Sequence, residues 1–257
     1  MELNTIYNED CLETMKRMPD GFVDLTVTSP PYDNLRTYNG YSFDFESIAK
    51  ELYRVTKDGG VVVWVVGDAT VNGSETGTSF KQALYFIELR FRLHDTMIWH
   101  KPNTFNFGSN RAYRQSFEYM FIFSKGKPLC VNLIKDVKTK SSGKVSKGAR
   151  KHADGSRDKV PDFVVGEYKK RDNVWAINVS SNNNGHPAVF PLKLAQDQIV
   201  TWSNESDIVY DPFLGSGTTS KAAKQLNRNY IGSEISKEYC DIAEQRVEAV
   251  MRGLYEA

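Results

Sequence analysis

The stretch Asp211-Pro212-Phe213-Leu214-Gly215-Ser216-Gly217-Thr218-Thr219 decides the fold. The apolar run Ile208-Val209-Tyr210 before it reads as a strand, and Thr218 to Leu226 after it reads as a helix. Glycines at such a junction let the backbone approach a ligand closely, and the first helical turn offers N–H groups with no partner inside the helix. The next apolar stretch, Tyr230-Ile231-Gly232, is a second strand leading to Glu234, 19 residues beyond Gly215. At the end of the second strand of a βαβ unit, an acid at that distance is placed to hold ribose hydroxyls. The Gly-x-x-x-x-Gly-Lys-Ser/Thr spacing of a phosphate loop is missing. The loop therefore suits a nucleoside that needs no phosphate contact.

The same alternation extends to both sides. Phe22 to Val27 reads as a buried strand ending at Thr28. Phe45, Ile48, Ala49, Leu52 and Tyr53 recur at helical spacing, with Gly59-Gly60 closing that unit, and Val61 to Val66 is a strand covered on both faces. Phe80, Ala83, Leu84 and Ile87 mark the apolar side of a second helix. Strands are predicted at Thr96 to Trp99 and Phe117 to Phe123, and a helix at Pro191 to Trp202. A C-terminal helix has Tyr239, Ile242, Ala243, Val247 and Val250 on one face. The fold expected is α/β, a doubly wound and mostly parallel sheet. Its nucleoside-binding domain comprises residues 1–102 and 186–257, interrupted by an insertion at 103–185.

Composition excludes several classes. With 257 residues, 40% hydrophobic and 25% charged, the chain has the balance of a globular protein able to bury a core. No apolar run of about 18 residues is present, which argues against a membrane span. Met1 to Asp10 carries acids where a secretory signal has basic and apolar regions. The cysteines, Cys11, Cys130 and Cys240, are odd in number and far apart, as expected in a reducing cytoplasm. His94 and His100 lack companions at metal-ligand spacing, so no metal is expected.

A second loop, Thr28-Ser29-Pro30-Pro31-Tyr32, follows the first predicted strand. Two prolines by themselves mark a stiff turn. Here they lie between a hydroxyl and an aromatic ring. Ser29 Oγ and the Pro30 carbonyl can accept both hydrogens of an exocyclic amine, while Tyr32 offers a flat face for stacking. Both loops sit at carboxyl ends of strands and open on the same edge of a parallel sheet. Asp33 to Tyr41 is polar and carries a glycine, as a closing lid would, with Arg36 as a phosphate or base contact.

The net charge of +1 hides an asymmetry. Between Lys135 and Arg171 there are twelve Lys/Arg against five Asp/Glu, a local charge of +7 that leaves −6 elsewhere. Such a Gly-, Ser- and Lys-rich tract is either a solvated loop or the footprint of a polyanion, disordered until its partner arrives.

Together these segments resemble the amino-directed DNA methyltransferases that use S-adenosylmethionine. That family pairs a Ser/Asp/Asn-Pro-Pro-Tyr/Phe catalytic loop with an Asp-x-Phe-x-Gly-Ser-Gly-Thr-Thr cofactor loop. Asn8-Glu9-Asp10-Cys11-Leu12 resembles its segment beside the cofactor adenine, and His186 to Pro191 the segment over the methionine moiety. Arg228 to Glu234 resembles the ribose-binding strand, and Phe117-Glu118 a segment near the target base. The catalytic loop precedes the variable region and the cofactor loop, an order similar to the β class.

The resemblance implies a Rossmann-like methyltransferase fold, S-adenosylmethionine as cofactor and double-stranded DNA as substrate, with the target base flipped out. It implies catalytic roles for Ser29, Pro30 and Tyr32. Cofactor contacts fall on Asp10, Cys11, Phe190, Asp211, Phe213, Gly215, Ser216, Gly217, Thr218 and Glu234. The insertion becomes a target-recognition region, with Arg111, Arg114, Lys144 and Arg150, besides Arg36, as DNA contacts. Thr-Ser-Pro-Pro-Tyr is similar to the cytosine-N4 members, whereas many adenine-N6 members carry Asp-Pro-Pro-Tyr. The expected target is cytosine N4, with adenine N6 as the alternative. Many members dimerise and many accompany a restriction endonuclease, so a homodimer and a cognate endonuclease are further partners the resemblance allows. A dinucleotide oxidoreductase would account for Glu234 but leave Thr28 to Tyr32 unexplained. A non-catalytic nucleic-acid binder would account for the basic tract but for neither loop.

Overall fold

Every strand predicted above forms, and two short ones join them in one sheet. The computed structural model describes residues 1–31, 43–104, 112–179, 191–251 and 253. In chain order the strands are β1 (Thr5–Tyr7), β2 (Val23–Thr28), β3 (Thr56–Val66), β4 (Arg92–His100), β5 (Phe117–Ser124), β6 (Val174–Ala176), β7 (Ile208–Asp211) and β8 (Asn229–Ser233). Their order across the sheet is β1-β8-β7-β2-β3-β5-β4-β6. All neighbours are parallel except β5, which runs against both β3 and β4. The expected doubly wound, mostly parallel α/β sheet is the fold observed.

The helices are α1 (Cys11–Arg17), α2 (Phe45–Val55), α3 (Thr78–Glu88), α4 (Leu192–Trp202), α5 (Thr218–Gln225) and α6 (Lys237–Met251). Contacts run α1 to α2 to α3 on one side, and α4 to α5 to α6 on the other. The chain leaves β2 through α2 towards β3, and leaves β7 through α5 towards β8, in opposite directions from an adjacent strand pair. Winding therefore reverses between β2 and β7, and ligands of open α/β sheets bind at the carboxyl ends of such a pair.

Val61 to Val66 is almost fully buried, as a strand covered by helices on both faces must be. Around Trp64 the core is aromatic: Phe86 meets Trp64 edge-on at 5.2 Å and stacks on Phe123 at 4.6 Å. The helix α2 starts at Asp44, whose side chain accepts from Ser47 N–H, and buries Ile48, Ala49, Leu52 and Val55. It ends before Gly59-Gly60. Those glycines lie inside β3, where a Cβ on Gly59 would fall 2.3 Å from the Leu129 side chain.

Two expectations are corrected. The helix α3 exists, but it buries Ser79, Gln82, Ala83 and Phe86, leaving Phe80, Leu84 and Ile87 exposed. Polar bonds make that orientation stable: Gln82 accepts from Trp64 Nε1 at 2.9 Å, and Ser79 N–H donates to Asp68 at 2.9 Å. Nor is the basic tract without structure. Lys135–Lys138 pairs with Tyr168–Lys170, Val145–Ser146 with Phe163–Val164, and Ala149–Lys151 with Arg157–Lys159, all antiparallel.

Leu133–Asp172 forms a compact unit of its own, and residues 1–132 with 173–257 form the other. This small unit is narrower than the 103–185 insertion, because β5 and β6 pair within the main sheet. All cysteines are free. Among the described residues no helix is long and apolar enough to cross a membrane.

Candidate active site

At the carboxyl edge of the sheet, β2 ends in Thr28 and β7 in Asp211, side by side. The Thr28 hydroxyl donates to Asp211 Oδ1 at 2.7 Å, and Phe213 N–H donates to the same oxygen at 3.0 Å. Asp211 thus ties the turn after β2 to the turn after β7. Burial pushes its carboxyl up to about 6, against the hydrogen bonds that favour the charged form. From the other side, the Thr219 hydroxyl of α5 donates to the Val27 carbonyl at 3.3 Å. Ser29 is half-buried and Pro30 buried directly beyond this anchor.

The turn after β7 is shaped by its glycines. Gly215 and Gly217 have φ of 53° and 84°. A Cβ on Gly217 would meet Ala243 Cβ of α6 at 2.5 Å, so only glycine permits this approach of α5 to α6. Arg246 of α6 donates to the Ser216 carbonyl at 2.6 Å, to its Oγ at 2.9 Å and to Thr218 Oγ1 at 3.4 Å. Ser216 and Thr218, expected as cofactor contacts, therefore point their oxygens to the fold.

Glu234 follows β8 and is bound at both oxygens by backbone: Gly215 N–H at 2.8 Å on Oε2 and Ser236 N–H at 2.9 Å on Oε1. Burial raises its pKa, opposed by those N–H groups. Among the described residues no cation pairs with this carboxylate. Its remaining lone pairs match the two hydroxyls of a ribose.

Asp10, after β1, caps α1 by accepting from Leu12 N–H at 2.8 Å, which uses Oδ1 and leaves Oδ2. Cys11 is a core residue, its thiol pushed up to about 12 by burial and by the charges of Asp10 and Asp211. Phe213 is half-buried, its ring set edge-on to Phe43 at 5.5 Å.

Arg114 lies between β4 and β5 on the same edge, exposed, donating to the Thr104 carbonyl at 3.2 Å. Lys144 and Arg150 are exposed on the small unit. Tyr32, Arg36, Arg111 and Phe190 lie outside the described residues, as do the lid Asp33 to Tyr41 and most of the segment His186 to Pro191.

Two contributors escaped the sequence reading. Arg246 looked like the charged side of a C-terminal helix. Asp68, just past β3, accepts from Ser79 N–H and hydroxyl and so caps α3. The signal for it was an acid placed directly after an apolar strand, as Glu234 is after β8.

A family model described as DNA methylase, of the N6/N4 type, matches residues 23–245. The chain belongs to the N6/N4 DNA methylase family. It is a β-class amino-methyltransferase that uses S-adenosylmethionine and acts on DNA. The methylase is 57% identical over 238 residues to the orphan methyltransferase M.BamHII of Bacillus amyloliquefaciens, covering 89% of each chain. To the type II methyltransferase M.BglII of Bacillus subtilis it is 30% identical over 254 residues, 95% of this chain and 68% of the relative. Among solved structures, the PvuII DNA methyltransferase (cytosine-N4-specific) superposes with a TM-score of 0.69 at 23% identity, covering 94% of this chain and 85% of that one. The M1.HpyAVI complex with S-adenosylmethionine gives 0.65 at 25% identity, covering 94% and 98%.

Proposed function

We propose that this methylase transfers the methyl group of S-adenosylmethionine to N4 of a cytosine flipped out of duplex DNA. The observation that carries the reading is the Thr28–Asp211 hydrogen bond, which fixes the Ser29-Pro30 turn beside the glycine turn where the sheet reverses its winding. Glu234, Gly215 and Gly217, with Asp10 and Phe213 flanking, form the cofactor side. The buried carboxylate with spare acceptor positions fits the ribose of S-adenosylmethionine, and the cofactor supplies an electrophilic methyl on a sulfonium sulfur.

On the opposite side, the Ser29 hydroxyl oxygen and the Pro30 carbonyl accept the two amine hydrogens. The lone pair of that nitrogen is delocalised into the ring, which makes it a poor nucleophile. Two fixed acceptors favour the tetrahedral nitrogen of the transition state over the planar ground state, so they lower the barrier with no covalent intermediate. A neutral serine is a weak base, but the methylated amine is cationic and acidic and loses its proton to water. Tyr32 stacks on the extruded base, which is unreachable inside the duplex.

The small unit supplies the electrostatic grip. Its exposed lysines and arginines, Lys144 and Arg150 among them, contact phosphate, and Arg36, Arg111 and Arg114 complete the DNA surface. Serine at position 29, where an acid would suit adenine-N6 members, favours cytosine; adenine N6 is the second reading. M.BglII being named a type II methyltransferase supports a cognate endonuclease, and M.BamHII being named an orphan speaks against one.

The test is Ser29→Ala. Cofactor affinity should stay within a factor of two while the single-turnover methylation rate falls by on the order of 100-fold, as for one lost preorganised polar group, or less because Pro30 remains. A rate unchanged from wild type would refute the role of the turn.

A further inference from the structure

The helix α3 carries its apolar stripe outward. Phe80, Leu84 and Ile87 are 48%, 60% and 41% exposed, while the buried side of the same helix holds Ser79 and Gln82. Their spacing puts the three side chains in one row, with Leu84 at its middle. Lys81 and Glu88, also exposed, are two turns apart and share one flank of that row. Neither has an ion-pair partner among the described residues. The row continues onto the sheet: Phe80 meets Tyr119 edge-on at 5.3 Å, and Tyr119 meets Phe117 at 5.4 Å. Val71, on the turn before α3, is 54% exposed and adds to it.

A contiguous apolar row rimmed by charge marks an interaction surface. From its charge pattern we infer that the occupant is a second copy of this chain. We propose an isologous homodimer in which two α3 helices pack antiparallel about a two-fold axis near Leu84. In that arrangement Leu84 meets its symmetry mate at the centre, Phe80 lies across from Ile87 of the other copy, and Lys81 falls against Glu88 of the other copy, twice. Parallel packing would instead set Lys81 against Lys81 and Glu88 against Glu88. An 11-residue helix is only about 16 Å long, so the flanking Val71 and Phe117 are needed to approach the roughly 1,600 Å² of a standard interface.

Sedimentation velocity of the full chain across a hundredfold range of concentration tests this, with no need for DNA or cofactor. Wild type should sediment as a dimer. Leu84→Asp, at an exposed position, should retain its circular dichroism and Tm and raise the dimer dissociation constant by on the order of 100-fold. Lys81→Glu alone and Glu88→Lys alone should each weaken the dimer, and the double exchange should restore it. A wild-type monomer throughout overturns the proposal, as does a dimer indifferent to Leu84→Asp and to the charge exchanges. The readout is independent of methylation, so it fails or stands separately from the function proposed above.

Discussion

Replacing Gly217 by alanine probes the joint between cofactor turn and fold with a magnitude the structure supplies. At φ of 84° an L-residue pays the left-handed penalty, about 1–2 kcal/mol. The added Cβ would also lie 2.5 Å from Ala243 Cβ and 2.8 Å from its Cα. Those are helix atoms with no side-chain torsion to relieve the clash, so α6 must shift, at the roughly 1–3 kcal/mol typical of overpacking. The sum is about 2–5 kcal/mol. At about 2–4 °C per kcal/mol for a chain of this size, Tm should fall by roughly 10 °C. Gly73→Ala is the control: its φ is 82° but nothing lies within 4 Å, so it should show the conformational part alone. Ala243→Gly costs about 1 kcal/mol by itself as a helix substitution. Placed in the Gly217→Ala background, it should return the steric part, which differential scanning calorimetry reads as coupling in the double-mutant cycle. A Gly217→Ala protein no less stable than Gly73→Ala, or a cycle without coupling, would refute the argument.

Other consequences follow from the same geometry. Glu234→Gln keeps one acceptor oxygen and loses the charge, so S-adenosylmethionine affinity in calorimetry should drop by about 1.5–3 kcal/mol, while unchanged affinity would contradict the ribose assignment. Asp211 is raised to about 6 from 3.8, so its unfolded form ionises first as pH rises. Its contribution therefore falls between about pH 4 and 6, by up to about 3 kcal/mol, and denaturation of Asp211→Asn should lack that decline relative to wild type. DNA affinity should fall steeply with salt. Replacing Lys144, Arg150, Lys151 and Lys159 by glutamine should flatten the log–log slope by at most roughly 3.6, and an unaltered slope and affinity would show those side chains to be only solvated.

How much of this was legible in the sequence follows from where the information lies. Continuous apolar runs such as Val61 to Val66 announce buried parallel strands by themselves, and the Asp211–Gly217 turn is marked by glycines that cannot be replaced. Short half-buried pieces carry no such signal: β1 has only Thr5–Tyr7, held by pairing with β8. The basic hairpins contain little apolar alternation because both their faces meet solvent, so their pairing depends on backbone bonds that side chains do not advertise. Spacing on α3 gave the helix but not its orientation. Which side faces inward was decided by Gln82 and Ser79, polar residues whose partners, Trp64 and Asp68, are distant in sequence. The two loops of the site were readable because their chemistry is local. Their union through Thr28 and Asp211 was not, since it spans 183 residues.

The most direct test of the central claim is the identity of the methylated nucleoside. Duplex DNA incubated with the methylase and methyl-labelled S-adenosylmethionine is digested to nucleosides and resolved by mass spectrometry. The account predicts label in N4-methylcytosine. N6-methyladenine alone would overturn the base while keeping the amine mechanism. 5-Methylcytosine, which requires a covalent nucleophile, or no label in DNA at all, would contradict the account itself.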